Sequence, residues 1–387
     1  MPFPVTYLLD RAAPSETFIQ REMEQLYRRG WPLHVRVLNG GAHPLKFSLA
    51  ACPHGFRWHF FKAACSRVFE ELPRAPGTAC RILRRLPQAA HLLKLFADSD
   101  SHLLHAHFAG IAADLAGIVA KAAGVPWTCS VHAHDVFTAP PALLRRRLRT
   151  VAGVAACSRQ AAGAVTAAGI DAAKVSVIRH GLPLNDYTFD TIQPDGSIFA
   201  AGRLEPKKGF DTLVDACALL VRRGVAFTCS IAGTGTCMDA LKRQIARLDL
   251  EETVYLIGWQ SQEEIQSRMM DATVLALPSR RGRNGDRDGI ANVLLEAMAL
   301  GTPVVTTSAG AAAEIIDDRR NGLLVPPDDP AALADALAEI LAIKNLQHAL
   351  TKAARQTIEE QFDASKTTCE FEEFLVRAIS DIRGQKK

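Results

Sequence analysis

The chain has 387 residues, of which 48% are hydrophobic and 22% charged, and its formal net charge is +4. This length and composition exclude a disordered chain, a collagen and a coiled coil, and they fit two domains better than one. The longest stretch without a charged residue, 297–313, contains two glycines and a proline, so we expect no membrane-spanning helix. The nine cysteines form no C-x-x-C pair and no basic segment precedes the first apolar run, which together indicate a cytosolic protein.

Short apolar runs alternate with segments of helical length and periodicity along the whole chain. The predicted strands are 5–9, 34–38, 102–106, 127–132, 153–156, 175–178, 197–201, 227–232, 254–257, 274–277, 303–306 and 322–325. Most of them are apolar on both faces, as strands covered by helices on both sides are. A polar break at 187–196 separates six strands from six. The sequence therefore predicts an α/β fold of two doubly wound Rossmann-like domains that face each other across a cleft.

Charge is unevenly distributed between the two halves. Residues 1–190 hold 22 basic and 13 acidic residues, whereas the remainder holds 23 basic and 28 acidic residues. An excess of positive charge in one half suggests contact with nucleic acid or with the inner face of a membrane.

The segment 54–96 concentrates this positive charge. It has eight basic residues, two acidic residues and the interleaved aromatic residues Phe56, Trp58, Phe60, Phe61, Phe69 and Phe96. One interpretation is an amphipathic helix pair that packs on the sheet with its basic face in water. The other is contact with an anionic membrane surface, on which basic and aromatic helices lie. Nucleic acid is disfavoured because no nucleic-acid-binding module accompanies the segment.

The segment 200–210, AAGRLEPKKGF, joins a predicted strand to a predicted helix. Gly202 permits a tight turn. Arg203 and Lys208 would then stand beside a helix N-terminus, where cations and backbone N–H groups can bind a diphosphate. The alternative is a solvated basic turn.

The segment 288–301, DGIANVLLEAMALG, reads as a loop that enters a helix. Asp288 can accept hydrogen bonds from a sugar, and Glu296, about two turns into the helix, can accept a pair from a ribose diol. The alternative makes Asp288 an N-cap and Glu296 a surface acid. The backbone amides that can face hydroxyl or phosphate oxygens are those of Gly289, Ile290 and Ala291.

Together these two segments resemble the retaining glycosyltransferases of family 4, which have the GT-B fold. The segments 14–19, PSETFI, and 105–110, HAHFAG, resemble the subgroup that builds bacterial exopolysaccharides. Two positions depart from the family pattern, because Asp288 stands where Glu is usual and Ala291 where Pro is frequent. The resemblance implies an acceptor-side domain at 1–187, with a C-terminal helix at 364–382 packing back on it. A nucleotide-sugar-binding domain at 195–363 follows from it as well.

The resemblance also implies roles for individual residues. The implied catalytic residues are His132, Asp288, Lys208 and Arg203. The implied donor-binding residues are Gly202, Arg203, Lys208, Gly258, Asp288, Gly289, Ile290, Ala291 and Glu296. The acceptor-side residues that we expect are Ser15, Glu16, Thr17, His134 and Asp135. His132 would contact the transferred sugar, and Gly258 would lie near the base.

We expect no metal site. His105, His107, His132 and His134 form two H-x-H pairs at predicted strand ends, but cleft or packing positions explain them better than zinc. The string 286–288, Asp-Arg-Asp, matches a metal motif that belongs to a different glycosyltransferase fold.

The predicted activity is metal-independent, retaining transfer of a hexose from a UDP- or GDP-sugar to a saccharide or lipid-linked saccharide. It would serve cell-surface polysaccharide synthesis at the cytoplasmic face of the membrane. A nicotinamide dehydrogenase is disfavoured because G-x-G-x-x-G is missing after the first strand. A nucleotide-sugar epimerase and a non-catalytic sugar-nucleotide-binding protein remain as alternatives.

Overall fold

The computed structural model describes residues 2–11, 17–39, 57–190 and 196–384. The chain divides into two compact units. The first comprises Met1–Gly181 together with Thr367–Lys387, and the second comprises Leu182–Lys366. The first division point precedes the predicted polar break at 187–196, of which residues 191–195 lie outside the described part.

Each unit contains one six-stranded sheet in which every pairing is parallel. The first sheet has the order β2-β1-β3-β4-β5-β6 and the second β12-β11-β10-β7-β8-β9. The strands are β1 Val5–Arg11, β2 Leu33–Asn39, β3 Leu103–His107, β4 Trp127–Val131, β5 Gly153–Ala156, β6 Val175–Val177, β7 Ser197–Ala201, β8 Thr228–Ala232, β9 Val254–Gly258, β10 Val274–Leu277, β11 Val304–Thr307 and β12 Leu323–Val325. All twelve overlap the predicted strands, so the α/β prediction of two doubly wound sheets is confirmed.

Helices connect the strands, as right-handed crossovers between parallel strands require. They are α1 Thr17–Arg28, α2 Arg57–Glu71, α3 Pro76–Ala97, α4 Ile111–Ala123, α5 Ala133–Thr138, α6 Pro141–Leu148, α7 Arg159–Ala167, α8 Phe210–Arg222, α9 Met238–Arg247, α10 Gln262–Met270, α11 Asn292–Leu300, α12 Pro330–Ala342, α13 Lys344–Gln361 and α14 Ala364–Gly384. Helix α14 joins the first unit from Thr367 onward.

Each sheet reverses its winding direction once. In the second unit, β8 and β9 lie on one side of β7, whereas β10, β11 and β12 lie on the other. The connections that leave β7 and β10 therefore run to opposite faces of the sheet and open a crevice at its carboxyl edge. Ligands of doubly wound sheets bind at such a switch point. In the first unit the corresponding neighbours are β1 and β3.

Helices α2 and α3 carry most of the basic segment 54–96, of which residues 54–56 lie outside the described part. Phe60 and Phe96 are buried, so these helices pack into the unit as the first interpretation expects. Trp58, Phe61 and Phe69 are nevertheless 61 to 70% exposed. None of the helices in the described ranges is long and apolar enough to cross a bilayer.

Candidate active site

The switch point of the second unit brings together two loops that are about eighty residues apart in sequence. The loop after β7 forms a 3-10 turn, Pro206–Lys208, just before α8. The loop after β10 carries Asp288. The Lys208 Nζ atom lies 2.7 Å from Asp288 Oδ2, and the Ser279 hydroxyl donates to the same oxygen at 2.8 Å. Two of the residues predicted from separate motifs, Lys208 and Asp288, are thus in direct contact.

Asp288 is ionised although it is mostly buried. Burial opposes its ionisation, but the ammonium groups of Lys208 and Lys207 and the Ser279 hydroxyl together hold its pKa below the ordinary value. The Lys207 Nζ atom lies 3.6 Å from Asp288 Oδ1 and 3.2 Å from Asp286 Oδ2. The site therefore holds two lysines against two carboxylates, in balanced charge.

Two glycines let these loops approach each other closely. Gly209 has a φ of +66°, and a Cβ built there would lie 1.9 Å from the carbonyl oxygen of Pro278. Gly310 has a φ of +65°, and a Cβ there would lie 2.2 Å from the carbonyl oxygen of Asp288. Neither contact is open to a residue with a side chain, so both glycines fix the position of the Asp288 loop.

Arg203 follows Gly202 at the end of β7 and is mostly exposed. Its guanidinium lies 2.8 Å from the Glu205 carboxylate. The side chain of Lys208 runs past Gly202, where a Cβ would lie 3.4 Å from Lys208 Cε. Arg203 thus lies on the same loop as Lys208, five residues before it, and is exposed.

The second predicted segment starts its helix later than an Asp288 N-cap would require. Helix α11 begins at Asn292 and its N-cap is Ala291. Gly289 and Ile290 belong to the half-buried loop before it. Glu296 lies in the second turn and is 5% exposed, so it is not a surface acid. Gly258 ends β9 with a φ of +72°, and its carbonyl accepts the Gly233 N–H at 2.6 Å.

The first unit brings together histidines of β3 and histidines that follow β4 and β6. The rings of His105, His107, His132 and His180 follow one another at centroid distances of 4.8, 5.8 and 5.3 Å. Burial, together with the neighbouring histidines, lowers the pKa of His132 well below its ordinary value. Burial likewise lowers the pKa of His180 to about 4. These two rings are therefore neutral at pH 7.

His132 is held by the turn that it opens. Its backbone N–H donates to Asp135 Oδ1 at 2.8 Å, and the two side chains form a reciprocal capping box at the start of α5. The other Asp135 oxygen accepts the Ala109 N–H. Burial raises the pKa of Asp135 to about 6, although these backbone N–H groups favour the carboxylate. His132 Nε2 is buried and has no hydrogen-bond partner within the described residues.

The other predicted acceptor-side residues occupy different settings. His134 is exposed on α5, whereas Asp135 is buried beneath His132. Thr17 is the first residue of α1 and is half-buried. Ser15 and Glu16 lie outside the described residues.

Two groups in the first unit have metal-ligating atoms within 4.8 Å of one another. They are His132, Cys157 and His180, and Glu22, His105 and His107. The two nitrogens of His105 already lie 2.8 and 3.1 Å from the Thr128 and Ser130 hydroxyls. In His132 the capping box uses the side chain as an acceptor, which leaves Nε2–H as a donor. Among the described residues, His107 Nδ1 and His132 Nε2 are buried without a hydrogen-bond partner, whereas both nitrogens of His105 have one.

Sequence reasoning missed Lys207, Ser279 and His180. Lys207 directly precedes the predicted residue Lys208. Its position in the sequence does not show that it contacts Asp286 and Asp288. His180 follows the end of β6 closely, and the expectation that ligands gather at the carboxyl ends of strands could have identified it.

Two family models match the chain and together cover most of it. The description "Glycosyltransferase Family 4" matches residues 15–186, and "Glycosyl transferases group 1" matches residues 192–357. Each half of the chain thus matches a glycosyltransferase family model, the first half the model of family 4 and the second half that of group 1. The resemblance seen in the sequence is confirmed.

Two of the curated relatives are bacterial glycosyltransferases named for amylovoran and colanic acid biosynthesis. The amylovoran biosynthesis glycosyltransferase AmsK of Erwinia amylovora is 33% identical over 214 residues, which are 54% of this chain and 53% of AmsK. WcaL of Salmonella typhimurium, a glycosyltransferase assigned to colanic acid biosynthesis, is 33% identical over 52% of this chain and 51% of WcaL. The chain thus spans about half the length of the curated relatives it matches.

Solved structures share the fold at low identity. Anabaena HepE, crystallised in complex with UDP-glucose, has a TM-score of 0.73 and 20% identity, and the match covers 97% of this chain and 99% of HepE. The predicted GT-B fold is therefore confirmed for the chain.

Proposed function

We propose that this protein is a retaining, metal-independent glycosyltransferase. It transfers a hexose from a UDP- or GDP-sugar to a saccharide or lipid-linked saccharide during cell-surface polysaccharide synthesis. The names of AmsK and WcaL support the pathway class, and the UDP-glucose bound to HepE supports the donor class. The observation that carries the proposal is the contact between Lys208 and Asp288 at the switch point of the second unit.

The reaction needs a cation for the leaving group and an acceptor for the hydroxyls of the sugar. Lys208 and the exposed Arg203 supply positive charge beside the start of α8, where a diphosphate would lie. Asp288 and the buried Glu296 supply carboxylates for the sugar and for the ribose diol. These cations take the place that a metal would have, so the proposal needs no bound metal.

The anomeric configuration is retained because the acceptor attacks the same face of the sugar from which the leaving group departs. The bond from the anomeric carbon to the phosphate oxygen breaks while the acceptor oxygen bonds to the same carbon. The departing phosphate oxygen takes the proton of the acceptor hydroxyl. The barrier then depends mainly on how well the protein stabilises the leaving diphosphate. We propose that His132 is a catalytic residue that offers its Nε2–H group as a hydrogen-bond donor to a sugar hydroxyl.

A thermal-shift screen against UDP, GDP, ADP and their hexose conjugates tests the donor site. One nucleotide class is expected to raise the stability of the protein, by about 2.7 kcal/mol at a hundredfold excess over Kd. Arg203→Ala is expected to remove most of this shift, because one of the two cations that face the diphosphate is lost. Arg243→Ala, which removes an exposed arginine of α9, is the matched control and retains the shift.

Turnover of the identified donor separates the candidate functions. A transferase consumes the donor only when an acceptor is added, and an epimerase consumes it without one. A sugar-nucleotide-binding protein shows the thermal shift and no turnover in either case. If no nucleotide raises the thermal stability of the wild-type protein, the proposed donor site is contradicted.

We also propose that the first unit contacts an anionic membrane surface. Trp58, Phe61 and Phe69 are spaced along one side of α2, and all are more than half exposed. Exposed aromatic side chains of this size can enter the interface of a bilayer. Exposed lysine and arginine side chains on α2, on α3 and between the two helices can attract anionic lipid; these are Lys62, Arg74, Arg81 and Arg84.

Vesicle sedimentation of the full chain tests this surface. We expect binding to vesicles of phosphatidylglycerol and weak binding to phosphatidylcholine alone. The double variant Trp58→Ser, Phe61→Ser is expected to reduce the bound fraction at least about tenfold, because two apolar side chains no longer leave water. Tyr27→Ser, at an exposed aromatic residue of α1, is the control. Equal loss in the control, or no loss in the double variant, would contradict the proposal.

A further inference from the structure

Lys207 makes contacts that the proposed reaction leaves unexplained. Its ammonium lies between two carboxylates, 3.2 Å from Asp286 Oδ2 and 3.6 Å from Asp288 Oδ1, and its side chain is 8% exposed. A lysine this deeply buried is uncommon unless it is paired. Lys208 differs, because Asp288 is its one ion-pair partner among the described residues.

The backbone holds Lys207 in this position. The Arg280 N–H donates to the carbonyl of Lys207 at 2.8 Å, and the Arg280 guanidinium donates to the carbonyl of Pro206 at 2.7 Å. Arg280 belongs to the same loop as Asp286 and Asp288, so this loop is hydrogen-bonded to the turn that carries Lys207. Lys208 is the next residue, and only its side chain, with a single partner, has to move for it to reach another anion.

A nucleoside diphosphate adds negative charge to a cluster that is already balanced. Lys208, beside the start of α8, is the cation proposed to neutralise it. When Lys208 turns to the diphosphate, Asp288 loses its nearest cation at 2.7 Å. An unpaired buried carboxylate is costly and tends to take up a proton.

We infer that Lys207 is a positioning residue that keeps Asp288 ionised and in place while Lys208 contacts the diphosphate of the donor. The inference rests on the proposed function, since it assigns Lys208 to the diphosphate and Asp288 to the sugar. It also explains why two adjacent lysines face one aspartate. Ser279 supplies the second fixed contact, through its hydroxyl to Asp288 Oδ2.

Binding measurements separate the two lysines without any need for turnover. The probes are the nucleoside diphosphate that gives the thermal shift, and its hexose conjugate, each titrated calorimetrically into the full chain. Lys208→Met is expected to weaken both at least about tenfold, because a charge-assisted contact to the diphosphate is lost. Lys207→Met is expected to change the affinity for the diphosphate by no more than about twofold. It is expected to lower the affinity for the sugar conjugate at least about fivefold.

Two further variants test whether the loss of affinity comes from the missing charge or from a general change of structure. Lys207→Arg keeps the charge and is expected to restore most of the affinity for the sugar conjugate. Lys242→Met removes an exposed lysine of α9 and is expected to change neither affinity. Loss of diphosphate binding in Lys207→Met as large as in Lys208→Met would overturn the inference, because Lys207 would then contact the diphosphate itself. Equal affinity of Lys207→Met and the wild type for the sugar conjugate would overturn it too.

The pH profile gives a second readout. The groups that face the Asp288 carboxylate are Lys208, Lys207 and the Ser279 hydroxyl, with Asp286 across Lys207. Because the cations hold the pKa of Asp288 down, kcat/KM is retained until the pH falls through that low value. In Lys207→Met the acid limb is expected to move up by at least about one pH unit. An unmoved acid limb would contradict the inference, whereas a wild type that binds the donor and transfers nothing would contradict only the proposed function.

Discussion

Replacing Lys208 by alanine is expected to lower the turnover of the donor at least about tenfold. The reason is the position of its ammonium, which is mostly buried and 2.7 Å from Asp288 on the loop that leads into α8. Negative charge grows on the diphosphate as the sugar departs, and a cation that has turned to the diphosphate stabilises that charge more than it stabilises the ground state. The measurement is kcat with saturating donor and acceptor.

The size of this effect depends on Lys208 contacting the transition state and not only the substrate. If Lys208→Ala raises KM and leaves kcat unchanged, Lys208 binds the substrate and the transition state equally well. The leaving-group role would then belong to Arg203. Lys366→Ala, which removes an exposed lysine at the end of the second unit, is the control for a general change of charge. If Lys208→Ala changes neither kcat nor KM, the assignment of this loop to the diphosphate is contradicted.

Replacing Gly209 by alanine is expected to cost the second unit at least about 2 kcal/mol of unfolding free energy. Part of this cost comes from a left-handed backbone conformation, which disfavours a side chain by about 1 kcal/mol or more. The rest comes from the Pro278 carbonyl, which a new Cβ would meet at 1.9 Å. For a unit of this size, 2 kcal/mol lowers Tm by about 4 to 8 °C.

Gly224 provides a matched control for this substitution. It has a similar φ of +71°, but nothing lies within 4 Å of the Cβ position. Gly224→Ala therefore carries the conformational cost without the collision. Differential scanning calorimetry measures the Tm of the two variants. Equal Tm values would show that the two loops can move apart at no cost in stability. We also expect Gly209→Ala to weaken nucleotide binding, because Lys207 and Lys208 directly precede Gly209.

Exchange of glutamate for aspartate at position 288 shortens the side chain but leaves the carboxylate in place. The structure shows that carboxylate held by Lys208 and by Ser279, with Gly310 packed against its backbone. Two contacts therefore hold the carboxylate of the shorter side chain, and the third holds its backbone. This is the physical reason why the departure from the family pattern is compatible with the proposed chemistry.

Composition and local pattern determined a large part of the fold. Apolar runs bounded by turn residues located all twelve strands, because strands covered on both faces have few polar positions. The alternation with helices determined that both sheets are parallel. The motifs around Lys208 and Asp288 were also readable, because a strand-to-helix turn needs particular residues at short spacing. Local physics is sufficient where neighbours in sequence are also neighbours in space.

Only the tertiary structure decided which distant groups meet. The order β12-β11-β10-β7-β8-β9 places the loop of Lys207 against Asp286 and Asp288, about eighty residues later. It likewise sets Gly310 against the Asp288 backbone. In the first unit, the order β2-β1-β3-β4-β5-β6 brings His180 to the ring of His132. No local pattern encodes these contacts, because the pairing of strands and the close approach of loops depend on how the whole sheet is wound. The charge balance around Asp288, and with it the difference between two adjacent lysines, follows from that winding.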